Sequence, residues 1–185
     1  MSTILKATRF GNPILRTKTN QLTYTEIKSV HIQKLIEDMR YTLLKKKYGV
    51  GLAAPQVGES LALSVIGIKP TPNRPNLEPF DTVIINPEIV ETYENRKQLW
   101  EGCISCGTGN NTLFAQVPRY KKIKLRWLDE QAVKHEEILE DFVAHVAQHE
   151  VDHLNGRLFV DRVKDPTTFM MADEYRKRIV RRKAS

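Results

Sequence analysis

The amino-acid sequence predicts an α+β fold, with antiparallel β-sheets packed around a central helix that carries an H-E-x-x-H motif, plus N-terminal and C-terminal helices. Two observations predict this class. Apolar residues recur at helical spacing in separate parts of the chain, and short runs rich in Val, Ile and Leu lie between them. These strands and helices do not alternate regularly, which favours antiparallel sheets over a parallel α/β arrangement.

The N-terminal part of the chain is predicted to contain a turn, a helix and a strand. Gly11-Asn12-Pro13 indicates the turn. Residues 31–48 have apolar side chains at helical spacing and charges on the opposite face, which predicts a helix that ends at Tyr48-Gly49. Leu61–Ile68 predicts a strand, and the four prolines in 69–81 predict an irregular loop after it.

The following segment is predicted to supply more strands and the central helix. Thr82–Ile85 and Ile89–Tyr93 predict two short strands around Asn86-Pro87. Lys122–Trp127 alternates apolar and basic side chains, which is typical of a half-buried antiparallel strand. The central helix is predicted at about 141–154, because apolar and histidine residues recur there on one helical face.

Polar and glycine residues predict where the last two helices begin and end. Asp141 is a candidate N-cap for the central helix, and Asn155-Gly156 is a typical helix end. Asp165-Pro166 predicts the start of a basic C-terminal helix over about 166–182. Charge alone favours a solvated face for this helix, and a contact with nucleic acid or a ribosome is the alternative. Its basic residues are Arg176, Lys177, Arg178, Arg181, Arg182 and Lys183.

Length and composition predict one globular domain over residues 1–185. Hydrophobic residues make up 41% and charged residues 28% of the chain, and the formal net charge is +7. No apolar run reaches the roughly 20 residues that a membrane span requires, so no membrane partner is expected. The N-terminus lacks a secretory signal pattern, and two cysteines fit a reducing compartment. We therefore expect a cytoplasmic protein and leave an organelle open.

The central helix contains the pattern that predicts chemistry, His149-Glu150-Val151-Asp152-His153. Two histidines four residues apart on a helix point the same way, so both imidazoles can bind one metal ion. Glu150 lies beside the first ligand and can reach a water molecule there. A catalytic site of this kind needs a third protein ligand and an open fourth position.

Three residue types compete for the third ligand. Phe159 stands where the metzincin pattern would place a third histidine, so that class is excluded. Glu174 is available for a thermolysin-like site but has no supporting motif. Cys103 suits a borderline divalent metal and forms a C-x-x-C pair with Cys106. A closed, structural Cys₂His₂ site that uses both cysteines therefore remains open beside a catalytic site that uses one.

Three segments in this order resemble the peptide deformylase family. They are Gly49–Gln56, which contains a Gly-x-Gly-x-Ala-Ala-x-Gln pattern, Glu101–Ser105, which reads Glu-Gly-Cys-Ile-Ser, and Gln148–His153, which reads Gln-His-Glu-Val-Asp-His. The resemblance covers about residues 8 to 170. It implies a metal-dependent hydrolase that removes the formyl group from the N-formylmethionine of nascent polypeptides, as opposed to a relative that binds metal but has lost or changed this activity.

The resemblance also implies roles for individual residues. Cys103, His149 and His153 would bind one divalent metal, with Fe²⁺ as the native ion and Zn²⁺, Ni²⁺ or Co²⁺ as alternatives. Glu150 would be the general acid/base, and Gln56 with the Ile104 backbone N–H would stabilise the oxyanion. His145 lies near the methionine pocket, where we expect it to face solvent. Substrate-binding residues would be Gly49, Val50, Gly51, Glu101, Arg119, Phe142 and Val146.

The chain departs from the family pattern at several positions. Ile104 replaces the usual Leu after the cysteine, Asp141 stands where Gly is common, and Cys106 is an unusual neighbour of Cys103. The stretch from Glu101 to Arg119 is longer than in many members. No metal ligand is lost, and the longer stretch leaves the peptide preference open.

Overall fold

One antiparallel sheet organises the protein. The computed structural model describes residues 2–45, 49–72 and 74–180. Within these ranges the order of pairing is β1-β2-β3-β4-β5, and a short β6 pairs with β4. All the strand pairs are antiparallel, and they join in one sheet where the sequence suggested several. The strands are β1 (Gly51–Ala53), β2 (Leu63–Ile68), β3 (Phe80–Gly102), β4 (Leu113–Leu128), β5 (Lys134–Glu140) and β6 (Met170–Met171).

Helices cover both faces of this sheet. The helices are α1 (Tyr24–Ile27), α2 (Val30–Lys45), α3 (Asp141–Leu154) and α4 (Ala172–Tyr175). Val65 of β2 packs with α2, whereas the next residue, Ile66, packs with α3. Successive side chains of a strand point to opposite faces, so β2 is apolar on both sides. The sheet therefore lies between the two long helices, and α3 is the more deeply buried of them.

Several predicted elements are confirmed. The first long helix is present as α2, although its predicted end at Tyr48 lies outside the described residues. The predicted strand Leu61–Ile68 is present as β2, and Lys122–Trp127 forms part of β4 with Ile123 and Leu125 fully buried. Among the described residues, no helix is both long enough and apolar enough to cross a bilayer.

The prediction of two separate strands around Asn86-Pro87 was wrong. The chain remains in one strand, β3, and accommodates these residues in irregular pairing with β4. Asn86 adopts a left-handed φ of 50°. Its side-chain amide donates to the Leu22 carbonyl at 2.7 Å and its side-chain oxygen accepts from the Leu22 N–H at 2.9 Å. These hydrogen bonds from a distant segment stabilise the bulge, so the strand continues.

The helix α3 begins at Asp141, as predicted, but its N-cap is the residue before the predicted one. Glu140 occupies the N-cap position without a side-chain cap, and Asp141 is the first helical residue with a φ of 47°. Left-handed backbone favours glycine, and Asp is among the few other residues that adopt it. This conformation gives a physical reason for the glycine that is common at this position in the resembling family. The predicted end at Asn155-Gly156 is confirmed, with Gly156 at a φ of 68°.

The C-terminal helix predicted over about 166–182 was wrong in its first part. Asp165 caps only a 3₁₀ turn at Pro166–Thr168, where its carboxylate accepts from the Thr167 N–H at 2.9 Å. Met170–Met171 then pairs with Leu113–Phe114 as β6. Helical structure begins at Ala172 and continues as a wider π-helical turn to Val180, and residues 181–182 lie outside the described residues. Pairing with a distant strand overrides the local helical pattern.

Candidate active site

Three potential metal ligands converge between α3 and the end of β3. His149 and His153 lie one turn apart on α3, and their Nε2 atoms are 3.2 Å apart. Cys103 follows β3 directly, and its Sγ lies 3.4 Å from Nε2 of His153. All three ligand atoms lie within 4.8 Å of one another. Ligands around a tetrahedral Zn²⁺-sized ion are roughly 3.3–3.8 Å apart, so this set fits one divalent metal.

The competing third ligands lie elsewhere. Among the described residues, the cluster that includes the two histidines contains Cys103 and neither Cys106 nor Glu174. The Glu174 carboxylate instead pairs with Arg178 on the C-terminal helix. A thermolysin-like set and a closed Cys₂His₂ set are therefore both absent from the described part of the chain.

Cys106 still affects the cluster through its thiol. A hydrogen bond from Cys106, together with the nearby His153, holds the pKa of the Cys103 thiol well below its usual range despite burial. The same hydrogen bond raises the pKa of Cys106. Both cysteines are buried and free of disulfides. Cys103 is thus available as a thiolate, the form that binds metal.

Glu150 lies beside the ligand cluster in a space that Gly51 leaves for it. A Cβ at Gly51 would lie 2.1 Å from Oε1 of Glu150, so only glycine lets the carboxylate occupy this position. The Oε2 atom is buried and has no hydrogen-bond partner among the described residues. Burial raises the pKa of the Glu150 carboxyl to about 7. A carboxyl group with such a pKa can both accept and return a proton near neutral pH.

Gln56 and Ile104 flank Cys103, as their motifs suggested. The Gln56 side chain is buried, its Oε1 accepts from the Ala53 N–H at 2.9 Å, and its Nε2 donates toward Cys103 Sγ at 3.2 Å. Ile104 begins the 3₁₀ turn after Cys103. The hydrogen bond to Ala53 orients the amide so that its N–H₂ group faces the cluster.

A buried network of charges lies behind the histidines. Arg119 on β4 donates two hydrogen bonds to the Glu101 carboxylate, at 2.6 and 3.0 Å, and one to Asp152 at 2.5 Å. Arg162 donates to Asp152 from the other side at 2.7 Å. The His149 Nδ1–H donates to Glu101 at 2.8 Å, which directs Nε2 toward Cys103.

Two parts of this network differ from the sequence analysis. His145 was expected to face solvent, but it is only 8% exposed and donates from Nε2 to Glu101 at 2.9 Å. Burial alone would raise the pKa of Glu101, yet hydrogen bonds from the two histidines and the arginine hold it well below its usual range. The roles of Asp152 and Arg162 were missed. The only signal in the sequence was Asp152 itself, a carboxylate on a helix whose other residues predicted burial.

A cleft of about 1080 Å³ opens onto the cluster. Gly49, Val50 and Gly51 line one side, and Phe142 and Val146 of α3 line another. The Arg74 guanidinium lies 3.9 Å from the centre of the Phe142 ring. Arg119 is not part of the lining and acts from behind through Glu101. The cleft brings the predicted peptide-binding residues and the potential metal ligands into one space.

Comparisons with known proteins identify the family. The family model for polypeptide deformylase matches residues 4–169. A peptide deformylase of Leptospira biflexa is 39% identical over 173 residues, which are 90% of this chain and 91% of that protein. One from Desulfotalea psychrophila is 42% identical over 160 residues, or 86% and 88% of the two chains.

Solved structures show the same similarity. The class I type b peptide deformylase of Acinetobacter baumannii with Met-Ala-Ser bound superposes with a TM-score of 0.80 at 34% identity, covering 88% of this chain and 100% of that one. A peptide deformylase of Synechococcus elongatus in complex with actinonin has a TM-score of 0.76 at 31% identity, covering 91% and 84%.

The α+β fold and the helix-borne H-E-x-x-H motif beside a cysteine define a class of hydrolase with a potential metal site. Within this class, the chain belongs to the polypeptide deformylase family, whose members remove the formyl group from the N-formylmethionine of newly made polypeptides.

Proposed function

We propose that this chain hydrolyses formyl-methionyl peptides with Cys103, His149 and His153 as the ligands of one divalent metal. The observation that supports this assignment best is the convergence of three ligand atoms beside a buried, unpaired carboxylate. When bound there, a divalent metal would lower the pKa of a water molecule toward about 7 and would polarise the carbonyl.

In this proposal Glu150 moves the proton. Its carboxylate accepts a proton from the attacking water as the water oxygen adds to the formyl carbon. The carbon–nitrogen bond then breaks, and Glu150 delivers the proton to the leaving amine, which yields formate and a free N-terminal methionine. Gln56 Nε2 and the Ile104 backbone N–H donate to the developing oxyanion. One donor of this kind is typically worth about 2.7–4 kcal/mol in the transition state.

The substrate would lie extended along Gly49–Gly51. The strand β1 is an edge of the sheet, because it pairs with β2 on one side only. An edge strand offers free backbone groups to an extended peptide. Val50, Phe142 and Val146 line the cleft beside it and would surround the methionine side chain.

We assign Glu101 and Arg119 a positioning role. The Glu101 carboxylate accepts from His149 and is held by Arg119, and both side chains are almost fully buried. Glu101 therefore orients a potential metal ligand, and it also lines the cleft, as expected for a residue that borders the methionine pocket. Arg119 neutralises two buried carboxylates and orders the wall behind the cluster.

Iron is the proposed native metal. One thiolate and two imidazoles suit Fe²⁺ as well as Zn²⁺, Ni²⁺ or Co²⁺, so the ligand set supports a divalent metal without selecting among these ions. Elemental analysis of protein purified without oxygen would decide. Zinc at full occupancy with undiminished formate release would contradict the assignment of iron.

The central experiment is the Glu150→Ala variant. We expect metal content to equal that of the unaltered protein, because Glu150 is not a ligand. We expect formate release from formyl-Met-Ala-Ser to fall by about 10²–10⁴-fold, the usual contribution of a general acid/base. Glu137→Ala, at an exposed position of β5 outside the cleft lining, serves as the control. Loss of both metal and activity, or of neither, would refute the role given to Glu150.

The wider setting of the enzyme is also a proposal. We propose that residues 1–185 act as one deformylase-like domain in the cytoplasm, which agrees with two free cysteines. A ribosome contact through the basic C-terminal residues is supported by their charge, although Arg176 and Arg178 already have protein partners. Co-sedimentation with ribosomes should weaken when residues 181–185 are removed. Unchanged co-sedimentation would count against the contact.

A further inference from the structure

The C-terminal segment, Met170–Val180, lines the same cleft as the potential metal ligands. Four residues of this segment border the cleft together with Leu99 and Trp100 of β3: Tyr175, Arg176, Ile179 and Val180. The sequence analysis treated this region only as a basic surface helix. Its position in the structure gives it access to a peptide in the cleft.

Contacts with the sheet hold the segment in place. Met170–Met171 pairs with β4, and the next residue, Ala172, is only 1% exposed. The Tyr175 ring stacks on Phe114 with centroids 4.3 Å apart and planes 7° apart, and it lies 5.5 Å from the Trp100 ring. Phe114 in turn lies over Gly102, where a Cβ would be 2.6 Å from the ring. Stacked rings of this kind form a defined surface.

The distance between the Trp100 and Tyr175 rings and the potential metal ligands can be gauged from the backbone of β3. Trp100 precedes Cys103 by three residues, and the backbone between them is extended. Three extended residues span roughly 10 Å. A substrate bound in extended form covers that distance with about three residues of its own. A substrate that extends from the ligand cluster toward Trp100 would therefore bring the side chains after its formylmethionine to these rings.

We propose that Tyr175, together with Trp100, selects substrates by the residues that follow formylmethionine and favours apolar or aromatic side chains there. This inference rests on the proposed function of the cleft. The surface offers two aromatic rings and the aliphatic side chains of Leu99, Ile179 and Val180. Lys97 and Arg176 border the same end and disfavour basic residues in the substrate through like-charge repulsion.

The test compares two substrates on the same metal-loaded enzyme. The measured quantity is the ratio of kcat/KM for formyl-Met-Leu-Phe to kcat/KM for formyl-Met-Ala-Ser. We expect this ratio to exceed one in the unaltered enzyme and to fall about tenfold in Tyr175→Ala, since a few tens of Å² of apolar contact are lost. Tyr175→Phe should keep the ratio, because the ring remains. Tyr24→Ala removes an exposed tyrosine far along the chain and is the matched control.

The outcomes separate this inference from the proposed function. An unchanged ratio in Tyr175→Ala, or an equal loss on both substrates, would overturn the selective role of Tyr175. Absence of formate release from either substrate by the unaltered enzyme would overturn the proposed function instead. In that case calorimetric binding of Met-Leu-Phe and Met-Ala-Ser still decides the inference. Equal affinities, or a preference that survives Tyr175→Ala, would contradict it.

Discussion

The two ends of the cleft are built from different interactions. At the metal-binding end, His149 is supported by a hydrogen bond from α3 to Glu101 of β3, and buried ion pairs join Glu101 and Asp152 to Arg119 of β4. At the far end, the C-terminal segment is held by a two-residue strand and by the stacking of Tyr175 on Phe114. Breaking a buried ion pair strongly destabilises the fold, whereas a stacked ring pair adds only about 0.5–1.5 kcal/mol to the stability.

This difference matches what each end has to do. Hydrolysis requires ligands and a proton acceptor in one geometry, and there His149 is fixed by Glu101, which Arg119 holds in turn. Selection among peptide side chains requires only a surface of suitable shape and polarity. The far end can therefore be altered without loss of the chemistry.

The largest effect is expected at Arg119. Replacing Arg119 by Met leaves the Glu101 and Asp152 carboxylates without their shared partner, in a site where the Arg119 and Glu101 side chains are 3% and 2% exposed. We expect the free energy of unfolding to fall by about 3–5 kcal/mol. Chemical denaturation of the metal-loaded protein measures it.

The control for this change lies on the same strand. Arg126 also pairs with two carboxylates, but its side chain is 39% exposed. Arg126→Met should lower the free energy of unfolding far less than Arg119→Met, because solvent screens surface pairs. Equal losses in the two variants would break the proposed contrast between buried and exposed charges.

A smaller effect is expected at Gly51. In Gly51→Ala the new Cβ would displace the Glu150 carboxylate, whose Oε1 lies 2.1 Å from that position. We expect kcat to fall about 100-fold with unchanged metal content, because a displacement near 1 Å is enough for such a loss. Gly67→Ala on β2 meets its nearest atom at 3.4 Å and should remain active. Full activity of Gly51→Ala would show that Glu150 tolerates displacement.

The smallest effect is expected at the far end. A double-mutant cycle with Phe114→Leu and Tyr175→Leu should give a coupling energy of about 1 kcal/mol in the free energy of unfolding, as for other stacked pairs. Denaturant titration of the four proteins measures it. A coupling above about 3 kcal/mol would place this end on a level with the buried ion pairs and remove the distinction between the two regions.

The sequence predicted local features well and pairings poorly. The helix that presents His149 and His153 was correct because its apolar and histidine spacing is a local property of the chain. The continuity of β3 was missed, because hydrogen bonds between Asn86 and Leu22 join segments far apart in sequence. The burial of His145 was missed for the same reason, since its partner Glu101 lies on another element.

By itself the sequence determined the fold class, the family and the set of candidate ligands, because motif residues and their spacing are read directly along the chain. Spacing alone left Cys106 and Glu174 open as ligands. Only the tertiary structure decided that, among the described residues, Cys103 joins the histidines without them, as the family resemblance had implied. In the same way, only the tertiary structure showed that the C-terminal segment lines the cleft. Both outcomes depend on contacts between distant segments, where strand pairing and buried charges outweigh local propensity.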